Sequence, residues 1–407
     1  MIRVGLSIRV DPHSMPTIQV RNYSARAGFW RLAYGRIVFR SASLRHLRIR
    51  PLLTHEGVIG QCYRYPELRG IAKEGRQEME RVRILGTGSY VPPRVLSNFD
   101  LQEMGLDTSD EWITKRTGVR ERRIADPDVT TSDLALEASR KALEMADLAP
   151  GDLDLIILAT ITPDTCCPAA ANWLQARLEA PQAVTFDVTA ACCGFIFAIN
   201  IATQYLVAGA CQRVLVVAAE VMSRTLDWTD RNTCILWGDG AGAAVLARGD
   251  EGHVILSSHI HTDGANGQDL LMPGGGSKTT PISHESVDKG LHTLQLIEAS
   301  ATFRVAVRHF VDVAREAADY NGMAVKDVDW FIPHQANLRM FQSMAKILDV
   351  PIERFYVTLH KYGNISSASC AIALDEAVRD GSIKAGNLVC MPVFGGGLTS
   401  GSALIRW

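Results

Sequence analysis

A cysteine, a histidine and an asparagine carry the chemistry that this chain's residues predict. Cys192 sits in Phe186-Asp187-Val188-Thr189-Ala190-Ala191-Cys192-Cys193-Gly194-Phe195, a strand-like run that breaks into small residues and then opens a long apolar helix. A cysteine at such a break lies at a helix N-terminus, where the dipole and free backbone N–H groups favour a thiolate. His334 lies in Phe331-Ile332-Pro333-His334-Gln335-Ala336-Asn337, at the C-terminal end of a buried strand. Such strand ends are where α/β proteins keep catalytic groups. Asn364 lies in Tyr362-Gly363-Asn364-Ile365-Ser366-Ser367-Ala368-Ser369, a glycine turn before a helix of small residues. Phe394-Gly395-Gly396-Gly397 is a turn that lets a backbone N–H approach a substrate, as oxyanion holes require. Together these residues predict a covalent acyl-thioester step.

Each residue also has a plainer reading. A buried cysteine is usually a small hydrophobe, a histidine can be satisfied in a core, and an asparagine is common in turns. The combination favours chemistry. Cys193, one position on, points elsewhere on a helix and is assigned to packing. Gly86-Thr87-Gly88 and Gly238-Asp239-Gly240-Ala241-Gly242 lack nucleotide-loop spacing and are read as tight turns in the sheet.

The elements that position these residues repeat. Asp152-Leu153-Asp154-Leu155-Ile156-Ile157 and Asp327-Val328-Asp329-Trp330-Phe331-Ile332 lie 175 positions apart, each after an amphipathic helix (Ser132–Ala146 and Ala301–Tyr320). Ala208-Gly209 before Val214–Ala218 and Ala385-Gly386 before Leu388–Pro392 lie 177 apart. Near-equal offsets indicate an internal duplication. Alternating helices and buried strands predict an α/β protein of two halves packed back to back, divided near residue 250. At the 177 offset Cys192 pairs with Ser369, so one active centre is expected.

The chain has 407 residues, net charge −2, 47% hydrophobic and 21% charged residues. These values suit a folded protein with a sizeable core and give no bulk attraction to nucleic acid. The nine cysteines form no metal-type CxxC pairs, so no metal is expected and a reducing cytoplasm is the expected setting. The longest apolar stretch, after Gly194, is broken by Asn200, Gln204 and Arg213, so no membrane span is expected.

Residues 1–53 hold ten Arg, no Lys and one acid, Asp11, with no sustained period. A transit peptide, a disordered basic arm and an over-extended reading frame starting properly at Met79 all fit; the last is favoured. The expected organisation is an Arg-rich extension at 1–78, a half with the nucleophile at 79–250, and a half with His334 and Asn364 at 251–407.

From about Arg81 to Trp407 the chain closely resembles β-ketoacyl-acyl-carrier-protein synthase III, the initiating condensing enzyme of type II fatty acid synthesis. The matching motifs are Ile84–Tyr90, Thr108–Ile113, Arg116–Arg122, the Cys192 segment, Trp237–Leu246, Pro333–Arg339, Gly363-Asn364 and Phe394–Gly397. The resemblance implies a duplicated thiolase fold in five layers, α-β-α-β-α, usually as a homodimer. It also implies a reaction: an acyl-CoA primer, expected to be acetyl-CoA, acylates Cys192 and condenses with malonyl-carrier protein. The products are 3-oxoacyl-carrier protein, CoA and CO2, with no cofactor. Asn364 separates the chain from elongating synthases with Cys-His-His. The absence of cysteine from Gly395–Gly401 separates it from thiolases.

By the same resemblance, the N–H groups of Cys192 and Gly396 form the oxyanion hole, and His334 and Asn364 bind the malonyl thioester oxygen. Trp112 and Arg231 sandwich the CoA adenine, and Arg116 meets the CoA phosphates. Arg304, Gln335, Arg339 and Lys346 meet the acidic carrier protein. The chain departs from the family at Cys167, where a Phe that closes the dimer partner's acyl pocket is common. A smaller residue there implies a deeper pocket, one that also accepts primers longer than acetyl. Leu271–Gly290 is longer than in short family members. Two further readings remain: a synthase-III-like enzyme of secondary metabolism with a longer primer, and an acyl-binding scaffold that forms no acyl-enzyme.

Overall fold

The computed structural model describes residues 4–9, 17–22, 33–36, 81–267, 270–277, 281–297 and 299–407. The chain divides into two units, Met1–Glu74 and Gly75–Trp407. In the first, Val4–Arg9, Thr17–Asn22 and Ala33–Arg36 pair as a three-stranded antiparallel sheet. The sequence shows no sustained period there, but Thr17–Asn22 does alternate polar and apolar residues over one strand's length. The rest of the expected 1–78 extension, and Met79, lie outside the described residues.

The second unit is built on nine strands. Spatially adjacent strands run Trp330–Phe331, Leu388–Gly395, Thr399–Arg406, His253–Thr262, Val82–Tyr90, Asp239–Arg248, Arg213–Val221, Leu155–Ala159, Val184–Val188. The middle of this list is a short ladder, Val82 to Ile84 against Ile255 to His253. From that seam outward both sides read alike. The first strand of the half is followed by its last, then its penultimate, then its second. On one side Val184–Val188 completes the order; on the other Phe355 bridges in parallel to Phe331.

The duplication extends to single hydrogen bonds. Asp154 Oδ2 accepts from the Arg213 N–H at 2.9 Å, and Asp329 Oδ2 accepts from the Leu388 N–H at 2.7 Å. Both donors and both acceptors are 175 positions apart. Asp152 accepts from the Ala149 N–H at 2.9 Å and Asp327 from the Ala324 N–H at 2.8 Å, the same bond in each half.

Five layers result. The helices Gly194–Val207 and Ala368–Arg379 share the central core, where Phe195, Ile199, Ala371 and Leu374 pack with Val216 and Val389 from strands of both halves. Thr131–Ala146 and Ala170–Leu178 cover the outer face of the first half. Ala299–Tyr320 and Leu338–Leu348 cover the outer face of the second. Burial of these apolar faces, not local propensity, holds the layers together.

The glycine motifs are not turns. Gly86 and Gly88 lie inside Val82–Tyr90, and Gly240 and Gly242 inside Asp239–Arg248. A Cβ on Gly88 would stand 2.2 Å from the Ala138 carbonyl, and one on Gly242 2.5 Å from Ala371 Cβ. Glycine is needed because helices from two layers press directly on these strands.

Candidate active site

The strand Val184–Val188 delivers the nucleophile. After it the chain turns through Ala191, whose φ of 45° lies in the left-handed region, into a short 3-10 turn Ala191–Cys193 and the helix Gly194–Val207. The second half repeats the turn with Ser366 at φ 46°, before the helix Ala368–Arg379. Such conformations cost a non-glycine residue about 1 to 3 kcal/mol and persist where the surroundings impose them. Ala191 and Ser366 are 175 positions apart, so the counterpart of Cys192 is Ser367, not Ser369 as the turn offset suggested. The offset drifts by two residues because the later turn spacing differs between halves.

Cys192, His334, Asn364 and Gly396 line one cavity of about 280 Å3, together with Trp112, Arg116, Phe303, Phe310 and Phe394. Cys192, His334 and Asn364 are each buried. Asn364 is fixed by its backbone, with its N–H to Leu236 O at 2.7 Å and its carbonyl accepting from the Gly238 N–H at 3.0 Å. Its Oδ1 accepts from the Ser366 N–H at 2.8 Å. The acceptor is therefore occupied, and the Nδ2 donor is what remains for a ligand.

Burial pushes the Cys192 thiol up to about 12; the Ser366 hydroxyl and the N–H groups of Cys192 and Gly396 pull it down, and a charge on Glu220 would push it further up. The expected thiolate at a helix start is thus outweighed by loss of water around the sulfur. Burial holds His334 down at about 3, against a smaller opposing pull from the Ser366 backbone. The imidazole is therefore neutral at neutral pH. Its Nδ1 is buried with no hydrogen-bond partner among the described residues.

At the cavity rim Trp112 has two guanidinium groups on its ring, Arg116 Cζ at 4.1 Å and Arg231 Cζ at 5.0 Å. Arg231 is also held by Asp107, Nη1 to Oδ2 at 2.9 Å. A base stacked between Trp112 and Arg231 needs the Arg231 guanidinium to move outward from the ring. Arg304, Arg339 and Lys346 are exposed, and Arg339 Cζ lies 5.9 Å from the ring of cavity-lining Phe303.

Gln335 is a correction. It is fully buried, its Nε2 donates to Pro333 O (2.8 Å) and Tyr356 O (3.2 Å), and its Oε1 accepts from the N–H groups of Thr358 (2.9 Å) and Leu359 (3.2 Å). Its hydrogen-bonding capacity is spent inside the fold, so it is not a carrier contact. Cys167 is exposed and does not line this chain's cavity.

Two buried charged residues were not legible as site residues. Arg122 donates from Nη1 to Leu96 O at 3.0 Å and from Nη2 to Asn98 Oδ1 at 2.9 Å and Ile235 O at 2.6 Å, clamping the segment that supplies cavity-lining Ile235. Nothing in its local sequence separates it from surface arginines. Glu220 is the last residue but one of the strand Arg213–Val221, and an acid near the end of an apolar strand was its only signal.

Family models describe 3-oxoacyl-[acyl-carrier-protein] synthase III over residues 186–264 and its C-terminal part over 318–407. A β-ketoacyl-[acyl-carrier-protein] synthase III from Caldanaerobacter subterraneus is 50% identical over 324 residues, 80% of this chain and 97% of that one. The chain belongs to the β-ketoacyl-acyl-carrier-protein synthase III family. The corresponding protein of Methylococcus capsulatus is 51% identical over 326 residues, 80% of this chain and 98% of that one. Among solved structures, the 3-oxoacyl-[acyl-carrier-protein] synthase III of Aquifex aeolicus superposes with TM-score 0.73 at 42% identity, covering 80% of this chain and all of that one. The priming β-ketosynthase of the R1128 polyketide pathway superposes with TM-score 0.74 at 37% identity, covering 82% and 98%. This is therefore a condensing acyltransferase with the duplicated thiolase fold, as its motifs predicted. No described helix is long and apolar enough to cross a membrane.

Proposed function

We propose that this synthase III joins an acyl-CoA primer to malonyl-acyl carrier protein through an acyl-Cys192 intermediate, starting fatty acid synthesis in the cytoplasm. The observation that carries the residue assignment is the single cavity lined by Cys192, His334, Asn364 and Gly396. Cys192 attacks the primer thioester, and the thiol proton leaves with the departing CoA thiol. The N–H groups of Cys192 and Gly396 hold the oxyanion. Malonyl-carrier protein then enters. The His334 ring N–H and Asn364 Nδ2 hold its thioester oxygen as CO2 leaves. The resulting carbon nucleophile attacks acyl-Cys192 and expels its sulfur as a thiolate, which takes up a proton from water. Decarboxylation supplies the carbanion, so the chemistry calls for no cofactor.

Trp112, Arg116 and Arg231 bind CoA, and exposed Arg304, Arg339 and Lys346 receive the acidic carrier protein. The half at 79–250 supplies the nucleophile and the half at 251–407 the two donors. A homodimer is supported by the edge strand Val184–Val188, which among the described residues pairs on one side only and has an exposed Val184. In that dimer Cys167 lines the partner's acyl pocket.

Intact-mass spectrometry tests this reading. Acetyl-CoA is expected to add one acetyl group, lost in Cys192→Ala and kept in Cys193→Ala, because Cys193 is packed in the central core. No adduct on folded protein with any acyl-CoA refutes the acyl-enzyme. Acylation by branched or longer primers in preference to acetyl favours the second reading, a priming synthase of secondary metabolism, which small Cys167 supports.

A further inference from the structure

The strand Arg213–Val221 carries near its end a carboxyl group that the proposed chemistry does not use. Glu220 is fully buried. Its Oε2 accepts from Thr160 Oγ1 at 3.1 Å, the Ile161 N–H at 3.1 Å and Thr162 Oγ1 at 2.7 Å. Its Oε1 lies 3.1 Å from Ser367 Oγ. No cation pairs with it among the described residues. A buried carboxylate with no cation is expensive, even with hydrogen bonds.

The proton count around Ser367 points the same way. Its hydroxyl has one proton and faces two oxygens, Glu220 Oε1 at 3.1 Å and the Ala159 carbonyl at 3.3 Å. If Glu220 is ionised, both are acceptors competing for that proton. If Oε1 is protonated, each contact has a donor: Glu220 donates to Ser367 Oγ, and Ser367 donates to Ala159 O. Burial raises the Glu220 carboxyl from its ordinary value, against the opposite pull of its hydrogen bonds from Thr162, Ile161, Ser367 and Thr160.

Ser367 is also the counterpart of Cys192 in the second half, and it touches the nucleophile's own turn. A Cβ on Gly194, two residues after Cys192, would stand 2.8 Å from Ala159 Cβ and 3.1 Å from Ser367 Cβ. Glu220, Ser367, Ala159 and the start of the Cys192 helix therefore form one packed column. The other titratable groups around Cys192 are His334 on the cavity wall and Cys193 and Cys370 in the core. Among the acids, Glu220 is the one close enough to oppose ionisation of the thiol.

We propose that Glu220 is a neutral carboxylic acid and a positioning residue for Cys192. Through Ser367 it fixes the turn that presents the sulfur, and by carrying no charge it adds no further opposition to loss of the thiol proton.

The test compares full-length protein with Glu220→Gln, which reproduces the neutral hydrogen-bond pattern: an amide N–H toward Ser367 and an oxygen toward the three donors. Infrared difference spectra at neutral pH are expected to show the carbonyl stretch of a protonated carboxylic acid that Glu220→Gln lacks. The pH midpoint for alkylation of Cys192 by iodoacetamide is expected to coincide in the two proteins. If Glu220 is instead ionised, the difference spectrum contains only carboxylate bands. Removing its charge then lowers the midpoint, and a fall of one pH unit speeds alkylation about tenfold below it. Either result overturns the proposal. Should Glu220→Gln not fold, Ser367→Ala serves: removing the acceptor of the carboxyl proton is expected to move the acid band to higher frequency, and an unmoved band overturns the proposal.

Discussion

The Ser366 N–H donates to Asn364 Oδ1 at 2.8 Å, and the same residue's hydroxyl is near the Cys192 sulfur, buried and with no hydrogen-bond partner among the described residues. Its backbone also acts on the His334 ring. One residue in a left-handed conformation thus meets all three groups of the site. The contact with Asn364 settles which end of the amide faces the cavity, because only an oxygen accepts from an N–H.

That orientation predicts a split between half-reactions. Asn364→Asp keeps the bond to Ser366 and loses the Nδ2 donor. Acylation of Cys192, which relies on backbone donors, is expected to survive within a few-fold. Malonyl decarboxylation is expected to fall roughly 10²- to 10³-fold, the usual cost of one oxyanion donor. Single-turnover acylation and CO2 release from malonyl-carrier protein, measured separately, check it. Equal losses in both steps contradict the assignment.

The duplicated frame and the residues of the site were legible because both rest on local pattern. Buried runs such as Leu155–Ile157 and Trp330–Ile332 announce strands, and Cys192, His334 and Asn364 stand at breaks after or before such runs. What the sequence hid is what distant segments impose on one another. Gly88 read as a turn because the helix pressing on it is fifty residues away. Gln335, beside His334, looked available because the carbonyl and N–H groups that consume it come from 356–359. The thiol was expected to be acidic from its helix start, and burial by residues of both halves reversed that. Glu220 gained meaning only beside Ser367, 147 positions away.

The depressed His334 ring makes stability depend on acid. Its folded value of about 3 lies below the ordinary 6.5, so between these values the unfolded chain binds a proton that the folded one does not. Stability from this group is full above about pH 6.5 and falls as pH drops toward 3, by at most about 1.4 kcal/mol per pH unit. Urea midpoints measured from pH 8 down to pH 4 are expected to fall more steeply for the native protein than for His334→Gln. Parallel curves contradict a buried neutral imidazole.

Gln335 and Arg339 are expected to fail differently. Gln335→Ala strands the N–H groups of Thr358 and Leu359 and the carbonyls of Pro333 and Tyr356. Each unsatisfied group costs about 1 to 3 kcal/mol, so a lowered melting temperature is expected, with little change in the KM for malonyl-carrier protein. Arg339→Glu leaves the melting temperature near native and raises that KM, more at low salt than at high salt. A raised carrier KM in folded Gln335→Ala restores that residue as a contact.

The glycine turn facing Cys192 offers a graded test of how closely the oxyanion hole is built. A Cβ on Gly395 would stand 2.8 Å from Cys192 N, 3.0 Å from its Cβ and 3.2 Å from its Cα. These atoms are tied down: the Cys193 N–H is bonded to Ala190 O at 3.0 Å, and Cys192 sits in the 3-10 turn that starts its helix. A methyl group at Gly395 must push the strand end and the Gly396 N–H away from the sulfur. At Gly396 the nearest atom to a new Cβ is Leu270 O at 3.3 Å, and the backbone near Cys192 is not crowded. At Gly151 nothing lies within 4 Å. Acyl-enzyme formation is therefore expected to fall by about 10²-fold or more in Gly395→Ala, the scale of losing one oxyanion donor. The loss is expected to be smaller in Gly396→Ala and absent in Gly151→Ala. Stopped-flow acylation with melting temperatures alongside separates this from unfolding. Wild-type acylation in folded Gly395→Ala means that the turn does not set the position of the Gly396 N–H.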